Sequence, residues 1–468
     1  MKHSRWVSLL VLCTGFLLIV VDMTIVNVAL PSIGRDLRFS PSGLAWVINA
    51  YLVAFAGLLL LAGRLADLVG SKRIFLLGLA IFTAASLACG LSTSQPVLIA
   101  ARFVQGVGGA ASSAVILAMI VSMFPEPEEQ AKAFGVFSFV ASAGAAVGLV
   151  AGGVITQAVS WHWIFFVNVP IGVATAALAY RLLPGGRGLG LREGADVLGA
   201  ALVTASLMLG VYAIVAASSA IGLLAIALLG AFLVRQARAS KPMLPLRLFR
   251  SLTLSGANAV QALMSAAFLS FFFLASLDLE RVLGYGPLAL GLGFLPVAVV
   301  MGCFSIRFAA PLVMRFGAFR IVVAGQLVVA LALFAVAVGP ERVAYMRDLL
   351  LPMALLGLGG GLTFPALTML AMSDAPPADS GLASGLLNTA GQMGGALGLA
   401  ILATVAAARS AALTGGQEAA SAALAGGYHL AWLVAACAVV VTIGITVATL
   451  RPRLAAATPS QDLLEEAA

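Results

Sequence analysis

Apolar runs of similar length recur along the whole chain, separated by short polar segments. About 20 consecutive apolar residues are enough for a helix to cross the hydrocarbon core of a bilayer. The runs do not alternate with the period of two that a membrane-exposed β-strand shows, so each run predicts a helix. We place fourteen spans, at about 7–30, 44–63, 74–93, 97–122, 133–157, 162–183, 195–215, 219–234, 253–276, 286–308, 320–339, 349–372, 382–407 and 427–450.

The composition excludes a water-soluble fold. Of the 468 residues, 62% are hydrophobic and only 9% are charged, whereas a soluble domain carries about 25% charged residues. Within a bilayer, only helices or closed barrels satisfy every backbone polar group. The sequence therefore predicts an all-α polytopic membrane protein with 14 transmembrane helices.

The positions of lysine and arginine predict the orientation of the chain. Most of the 26 basic residues lie in loops on the side of the N-terminus, which the positive-inside rule assigns to the cytoplasm. An even number of spans then places both termini there. The run at 6–30 is too long for a cleaved signal peptide, so we interpret it as a retained first span. The preference for Arg over Lys is typical of a GC-rich bacterial genome, so we expect the bacterial cytoplasmic membrane.

Several other classes of protein find no support in the sequence. The four cysteines all lie inside apolar runs and the three histidines are scattered, so neither a disulfide framework nor a metal site is expected. A phosphate-binding GxxxxGK[ST] loop is absent, which argues against an ATP-driven pump. The sequence shows no nucleophile and base that would come together in an active site, so we expect no enzyme. The net charge of +8 is explained by membrane topology, so we expect no nucleic-acid partner.

Two segments at equivalent points of the chain are similar to each other. GRLADLVGSKRI (63–74) aligns with APLVMRFGAFRI (310–321). Such repeats mark transporters built from two related bundles, with the substrate site between them near the midplane. We predict an N-terminal six-helix bundle (1–183), two inserted helices with a cytoplasmic linker (184–252), and a C-terminal six-helix bundle (253–468). The alternative is a chance match of two basic turns.

Five segments carry a more specific resemblance. They are VDMTIVNVALP (21–31), GRLADLVGSKR (63–73), ARFVQGVGGA (101–110), WHWIFFVNVPIG (161–172) and GLASGLLNTAGQMGGALGLAIL (381–402). In this order they resemble motifs of the major facilitator superfamily and, within it, of the 14-span drug:proton antiporters. The chain differs from the antiporter pattern at Asn49, Leu149 and His162, where Asp, Pro and Arg are usual.

Asp22 is the first candidate for proton coupling. It lies inside an apolar run and is the only carboxylate that we place deep in any predicted span. An ionised carboxylate at that depth costs roughly 2.5–3.5 kcal/mol, and removal from water favours its protonated form. Asp22 could therefore bind and release a proton, or pair with a cationic substrate. The alternative is a carboxylate hydrogen-bonded to Thr24 or Asn27 that shapes the helix.

Arg102 is a cation inside the fourth predicted span, and it needs an anionic or carbonyl partner there. The resemblance implies a role in proton transfer or in shaping the pocket. The alternatives are a structural ion pair, or a side chain that extends to the nearby interface. Gln105 lies one turn further along and shares its face.

The loop at 63–73 holds four residues that the resemblance assigns to a conformational latch on the cytoplasmic side: Gly63, Asp67, Gly70 and Arg73. Gly70 permits a tight turn between two helices. Positive-inside topology alone would explain the basic residues of this loop, but not Asp67.

Gly144, Gly148 and Gly152 fall on one face of the fifth predicted span. Small residues at this spacing let a second helix approach closely. They predict either a sealing interface that prevents proton leak or ordinary helix packing.

Polar and aromatic residues inside the spans are candidates for substrate binding. They are Asn27, Asn49, Gln105, Asn258, Gln261, Phe272, Asn388 and Gln392. Unpaired amides are costly in lipid, so they should face the protein interior. Structural hydrogen bonding between helices is the alternative for each amide, and ordinary packing is the alternative for Phe272.

These observations together predict proton-coupled efflux, that is, antiport, of hydrophobic drugs or antibiotics, cationic ones among them, by alternating access. We expect a monomer that uses no cofactor besides the proton motive force. The alternative is an exporter of a lipid, a siderophore or an endogenous metabolite, with or without proton coupling.

Overall fold

A computed structural model describes residues 2–185, 188–190, 194–239, 242–340, 345–373, 380–414 and 420–451. Parts of the predicted linker, at 186–187, 191–193 and 240–241, lie outside the described residues. The helices are α1 (Lys2–Asp36), α2 (Pro41–Leu44), α3 (Trp46–Val69), α4 (Ser71–Gly90), α5 (Gln95–Met123), α6 (Pro127–Ala158), α7 (Trp163–Phe166), α8 (Asn168–Leu182), α9 (Val197–Val215), α10 (Ser219–Arg238), α11 (Leu252–Arg281), α12 (Pro287–Cys303), α13 (Ala309–Phe316), α14 (Ala318–Ala337), α15 (Leu350–Ser373), α16 (Ser380–Thr414) and α17 (Ala420–Thr449).

The predicted helical membrane fold is confirmed. In the described residues, thirteen helices are long and apolar enough to cross a membrane, and α6 adds a shorter apolar segment at Ala143–Ala158. The short prediction at 219–234 corresponds to the 20-residue α10. The prediction at 253–276 ends too early, because α11 continues to Arg281.

The same helix pairings occur in both halves of the chain. In the first half α1 packs on α6, α3 on α5, and α4 on α8. In the second half α11 packs on α16, α12 on α15, and α14 on α17. Two of the contacts between the halves are related to each other, namely α6 with α12 and α3 with α16. The order of helices therefore repeats, as in transporters built from two bundles.

The two similar segments form the same turn. Gly70 joins α3 to α4 with φ 103°, and Gly317 joins α13 to α14 with φ 84°. A side chain with a Cβ is disfavoured at positive φ, whereas glycine adopts it freely. The glycine in each segment is therefore required by the backbone of the turn.

We expect Gly317→Ala to destabilise the protein by about 1–2 kcal/mol, because alanine is strained at positive φ. A Cβ at Gly317 would meet no atom within 4 Å, so the backbone conformation alone is tested. Gly63→Ala is the matched control, since that Cβ also meets nothing within 4 Å and Gly63 lies within α3. Thermal unfolding in detergent should show a lower midpoint for Gly317→Ala and not for Gly63→Ala; equal midpoints would contradict the argument.

The inserted helices α9 and α10 form a hairpin at the junction of the halves. α9 packs against both α3 and α16, and Thr204 lies so close to Gly57 that no side chain would fit there. Ser206 Oγ donates to the carbonyl oxygen of Ala225 at 2.8 Å, which joins α9 to α10.

Asp196 fastens the open end of this hairpin. Its carboxylate accepts hydrogen bonds from the backbone N–H of Gly199 at 2.9 Å, from Arg235 Nε at 2.5 Å and from Gln236 Nε2 at 2.5 Å. Burial alone would raise the pKa of Asp196, but the hydrogen bonds from Arg235, Gln236 and Gly199 outweigh it and lower the pKa below its ordinary value. The ionised carboxylate therefore stabilises the hairpin.

A group with a lowered pKa in the folded state contributes stability that is present above its unfolded pKa, about 3.9 for Asp, and is lost as the pH falls through the folded pKa. We therefore expect part of the acid-induced fall in the thermal midpoint below about pH 4 to disappear in Asp196→Asn. The variant should also be less stable than the wild type at neutral pH. Glu128→Gln, which removes an exposed carboxylate paired with Lys132, should keep the wild-type pH dependence. An unchanged acid slope in Asp196→Asn would refute this role.

Candidate functional site

Asp22 lies at the centre of a buried polar network in the first half of the chain. Its side chain is fully buried in α1. Oδ2 accepts from Arg102 Nη1 at 2.5 Å, and Oδ1 accepts from Gln105 Nε2 at 2.7 Å and from Asn168 Nδ2 at 3.1 Å. Arg102 and Gln105 are three residues apart on α5 and so face α1 together. The carboxylate is thus held by one cation and two amides.

The Arg102 guanidinium is also satisfied on its other sides. Nη1 donates to Gln105 Oε1 at 2.6 Å, and Nε donates to the carbonyl oxygen of Val47 in α3 at 2.9 Å. The guanidinium carbon lies 4.6 Å from the centre of the Tyr51 ring and 5.8 Å from that of Phe165. A buried ion pair is tolerated only when its remaining polar atoms find such partners. The geometry therefore favours an ionised pair.

Gln105 extends the network to α4. Its Nε2 donates to Ser86 Oγ at 2.8 Å, and Ser86 Oγ donates to the carbonyl oxygen of Phe82 at 2.8 Å, both in α4. Together with Asn168 at the start of α8, the network joins α1, α4, α5 and α8, and it includes one carbonyl of α3. A change of charge at Asp22 would therefore act on most helices of the first half.

The structure brings together three of the residues singled out in the sequence: Asp22, Arg102 and Gln105. The hydrogen bonds considered for Asp22 within its own helix are wrong. Thr24 Oγ1 donates to the carbonyl oxygen of Val20, and Asn27 Nδ2 donates to that of Met23. Extension of Arg102 to the interface is also wrong, because the residue is 1% exposed.

Sequence reasoning missed several partners of the network, among them Asn168, Ser86 and Tyr51. Asn168 belongs to the segment 161–172 that carried part of the family resemblance, and a lone amide in an apolar segment was a usable signal. Ser86 and Tyr51 gave none, since serine and tyrosine are common in membrane helices.

The other candidate amides are not gathered into one cluster. In the described part of the chain, no hydrogen bond joins any two of Asn27, Asn49, Asn258, Gln261, Asn388 and Gln392. Asn27 and Asn258 each donate to the preceding helical turn, at 2.8 and 2.7 Å, and each leaves a buried Oδ1 without a protein partner. Both polar atoms of Asn49 are buried without one. None of these buried polar atoms has a partner among the described residues.

The second-half candidates are more accessible. Gln261 in α11 lies beside Gly391 of α16, and Gln392 is half-buried while Asn388 is exposed. Phe272 is half-buried and packs on Phe294 of α12, with ring centres 5.3 Å apart. Their role in substrate binding stays a prediction.

The loop predicted to form a latch contacts the linker in this structure. The side chains of Asp67 and Arg73 are exposed, and the carbonyl oxygen of Asp67 accepts from the backbone N–H of Leu189 at 2.9 Å. Lys72 donates to the carbonyl oxygen of Leu183 at 2.8 Å, just past the end of α8. Among the described residues Asp67 makes no ion pair, so the latch stays a prediction.

The three glycines of α6 lie against α1, the helix that carries Asp22. A Cβ at Gly144 would lie 2.6 Å from the Leu17 side chain, and one at Gly152 would lie 2.9 Å from Ile25. At Gly148 it would overlap Thr24. The close contact is therefore within one half, as ordinary small-residue packing predicts. The neighbouring Gly153 instead meets Pro287 of the other half.

The halves are joined at one end of the helix bundle, which we call the distal face because it is the end at which α1 finishes. There Arg35 and Glu280 form an ion pair at 2.6 Å. The backbone N–H of Leu288 donates to Gln157 Oε1 at 3.2 Å. Both contacts cross from the first half to the second, so the distal face is closed.

Comparison with known proteins identifies the family. A family model described as Major Facilitator Superfamily matches residues 12–399. The chain belongs to the major facilitator superfamily. It is therefore a membrane transporter of a small-molecule substrate, and the fold predicted from the five segments and the internal repeat is that of its family.

Relatives within the superfamily are named for antibiotics. The chain is 40% identical to the cephamycin export protein CmcT of Amycolatopsis lactamdurans, over 86% of each chain. It is 36% identical to the puromycin resistance protein of Streptomyces alboniger, over 87% of this chain and 83% of the relative. A tetracenomycin C resistance and export protein of Streptomyces glaucescens is 33% identical, over 87% and 77%.

Solved superfamily structures share the fold. A bacterial homologue of the human lysosomal transporter Spinster, in an inward-facing and unoccupied conformation, superposes with a TM-score of 0.69 at 16% identity, over 96% of this chain and 98% of the other. The nucleoside transporter NupG superposes with a TM-score of 0.70 at 11% identity, over 96% and 100%.

The buried pair should behave as one unit in unfolding. Arg102→Met leaves the Asp22 charge without its cation, so we expect a loss of about 3–5 kcal/mol of stability. The double variant Asp22→Asn/Arg102→Met removes both charges and should be more stable than Arg102→Met alone. Denaturant unfolding in detergent, followed by tryptophan fluorescence, measures the difference. If the two substitutions add without coupling, the ion pair does not exist in solution.

Proposed function

We propose that this transporter exports hydrophobic antibiotics or related compounds across the bacterial cytoplasmic membrane in exchange for protons. The buried Asp22–Arg102 pair carries the proposal, because it places a titratable charge between packed helices of the first half. The names of the relatives support an antibiotic as the cargo. They refer to export or resistance, and the compounds are cephamycin, puromycin and tetracenomycin C.

The orientation of the protein in the membrane follows from the distribution of basic residues. The excess of Lys and Arg in the loops on the side of the N-terminus makes that side cytoplasmic, and the distal face then faces outward. With the Arg35–Glu280 pair formed, the outer side is closed. In the proposed cycle, cargo would be taken up from the cytoplasmic side while the distal face is closed.

Asp22 would act as the proton carrier. In the closed distal state one guanidinium and two amides would stabilise the ionised carboxylate. When the distal face opens, water reaches the site and a proton can bind to a carboxylate oxygen. Neutral Asp22 no longer compensates the charge of Arg102, which weakens the links between α1 and α5. Proton binding would thus favour a different packing of the first half.

The cargo would be held between the halves by neutral groups. Buried amide oxygens of Asn27 in α1 and Asn258 in α11 lack protein partners, and Phe272 offers an aromatic face. Few polar groups in an apolar cavity suit a hydrophobic compound with a small number of hydrogen-bond donors.

Proteoliposomes with a pH-sensitive dye in the lumen test the proposal. A proton gradient is imposed, and puromycin, a cephamycin, lipophilic cations and neutral drugs are added in turn. We expect substrate-dependent proton flux in the wild type and its loss in Asp22→Asn, because the amide cannot carry the proton. Glu128→Gln removes an exposed carboxylate far from the network and should transport as the wild type does.

The outcomes separate the parts of the proposal. Flux that survives in Asp22→Asn would move the proton site elsewhere. Drug transport without proton flux would leave an exporter that is not coupled to protons. Folded wild-type protein that moves none of the compounds would favour the alternative cargo of a lipid, a siderophore or an endogenous metabolite.

A further inference from the structure

A second carboxylate is buried in the other half of the protein. Asp278 lies near the distal end of α11 and is 3% exposed. The sequence prediction placed this span's end at 276 and therefore left Asp278 outside it, whereas α11 continues to Arg281. Unlike Asp22, the Asp278 carboxylate makes no ion pair or hydrogen bond to any residue that the structure describes.

Asp278 lines a cavity of about 10 Å³ between α11, the end of α14 and α17. Asp348 and His429 also line it, beside Trp432. A cavity of this size holds about one water molecule when polar groups surround it. The side chain of Asp348 is 15% exposed, so the polar lining extends from the buried carboxylate towards the distal surface.

No cation pairs with Asp278 among the residues that the structure describes. Arg347 pairs with Asp348 at 2.9 Å, Arg35 pairs with Glu280, and Arg281, three residues further along α11, forms no ion pair with Asp278. The described lining of the cavity contains neither Lys nor Arg. A carboxylate removed from water with no compensating cation is stable only in its neutral form. Closing the distal face around Asp278 therefore requires a proton.

We propose that Asp278 is a proton-binding site of the second half, which takes up one proton from the distal side whenever the distal face closes. A hydronium ion in the cavity transfers its proton to a carboxylate oxygen and leaves a water molecule, and opening reverses the step. The proton therefore returns to the side from which it came. This role is distinct from that proposed for Asp22 and does not depend on proton-coupled export.

Proton binding at Asp278 determines the direction in which pH changes the closure of the distal face. Acidification of the distal side should favour closure, and the ratio of closed to open molecules should rise by up to tenfold per pH unit for one proton. The Arg35–Glu280 pair predicts the opposite sign, because protonation of Glu280 would weaken that contact across the halves. His429 is the other titratable group whose protonation could contribute in the same range.

Distances between spin labels on the distal face measure closure directly. Val159→Cys and Gly286→Cys place labels at exposed positions at the distal ends of α6 and α12, in a chain whose exposed Cys303 and Cys437 are replaced by serine. Full-length protein in nanodiscs is measured between about pH 5 and about pH 9, with no drug present.

We expect the wild type to close as the pH falls, and Asp278→Asn to lose this acid-driven closure, because the amide is permanently neutral and favours the closed state at every pH. Glu280→Gln should open more readily but keep the pH dependence, and His429→Gln should keep it too. Retention of the wild-type pH dependence in Asp278→Asn would overturn the proposal, as would a wild type that opens on acidification. Asp22→Asn should keep the pH dependence of closure. The experiment therefore tests the role of Asp278 separately from the transport role proposed for Asp22.

Discussion

A charge inside a membrane protein persists only when its neighbours replace the water that it has lost. The Asp22–Arg102 pair meets this condition with partners from five helices, since α1, α4, α5 and α8 contribute side chains and α3 contributes a carbonyl oxygen. The packing of the first half depends on that arrangement, because removing any one partner leaves a buried polar group unsatisfied. The same arrangement makes the pair sensitive to a proton.

The two halves repeat the order of their helices but differ in their chemistry. The first half holds a compensated ion pair, whereas the second holds the solitary carboxylate of Asp278 beside a small cavity. The two carboxylates therefore lie in different electrostatic surroundings, one beside a guanidinium and one with no paired cation among the described residues. The two halves therefore share their architecture and not their buried titratable groups.

The sequence predicts the helices well because each span has to satisfy a simple physical requirement. About 20 apolar residues are needed to cross the bilayer, and this length is visible without any knowledge of tertiary contacts. Asp22 and Arg102 were visible for the same reason, as charges in apolar runs. Ser86 and Tyr51 were not, because their importance depends on which helices are neighbours. Asp278 was missed because a helix end is the least certain part of such a prediction, and two residues decided whether it lay in a loop or a span.

The inserted hairpin makes the membrane-facing sides of the transporter unlike each other. α9 packs across the junction of α3 with α16, while in the described residues no additional helix packs in this way across the related junction of α6 with α12. One lateral flank is therefore shielded from the acyl chains by a further layer of protein, and the opposite flank is left to the two bundles alone. For a cargo dissolved in a leaflet of the membrane, the two flanks are different surfaces, and an approach from the lipid would have a preferred direction around the molecule.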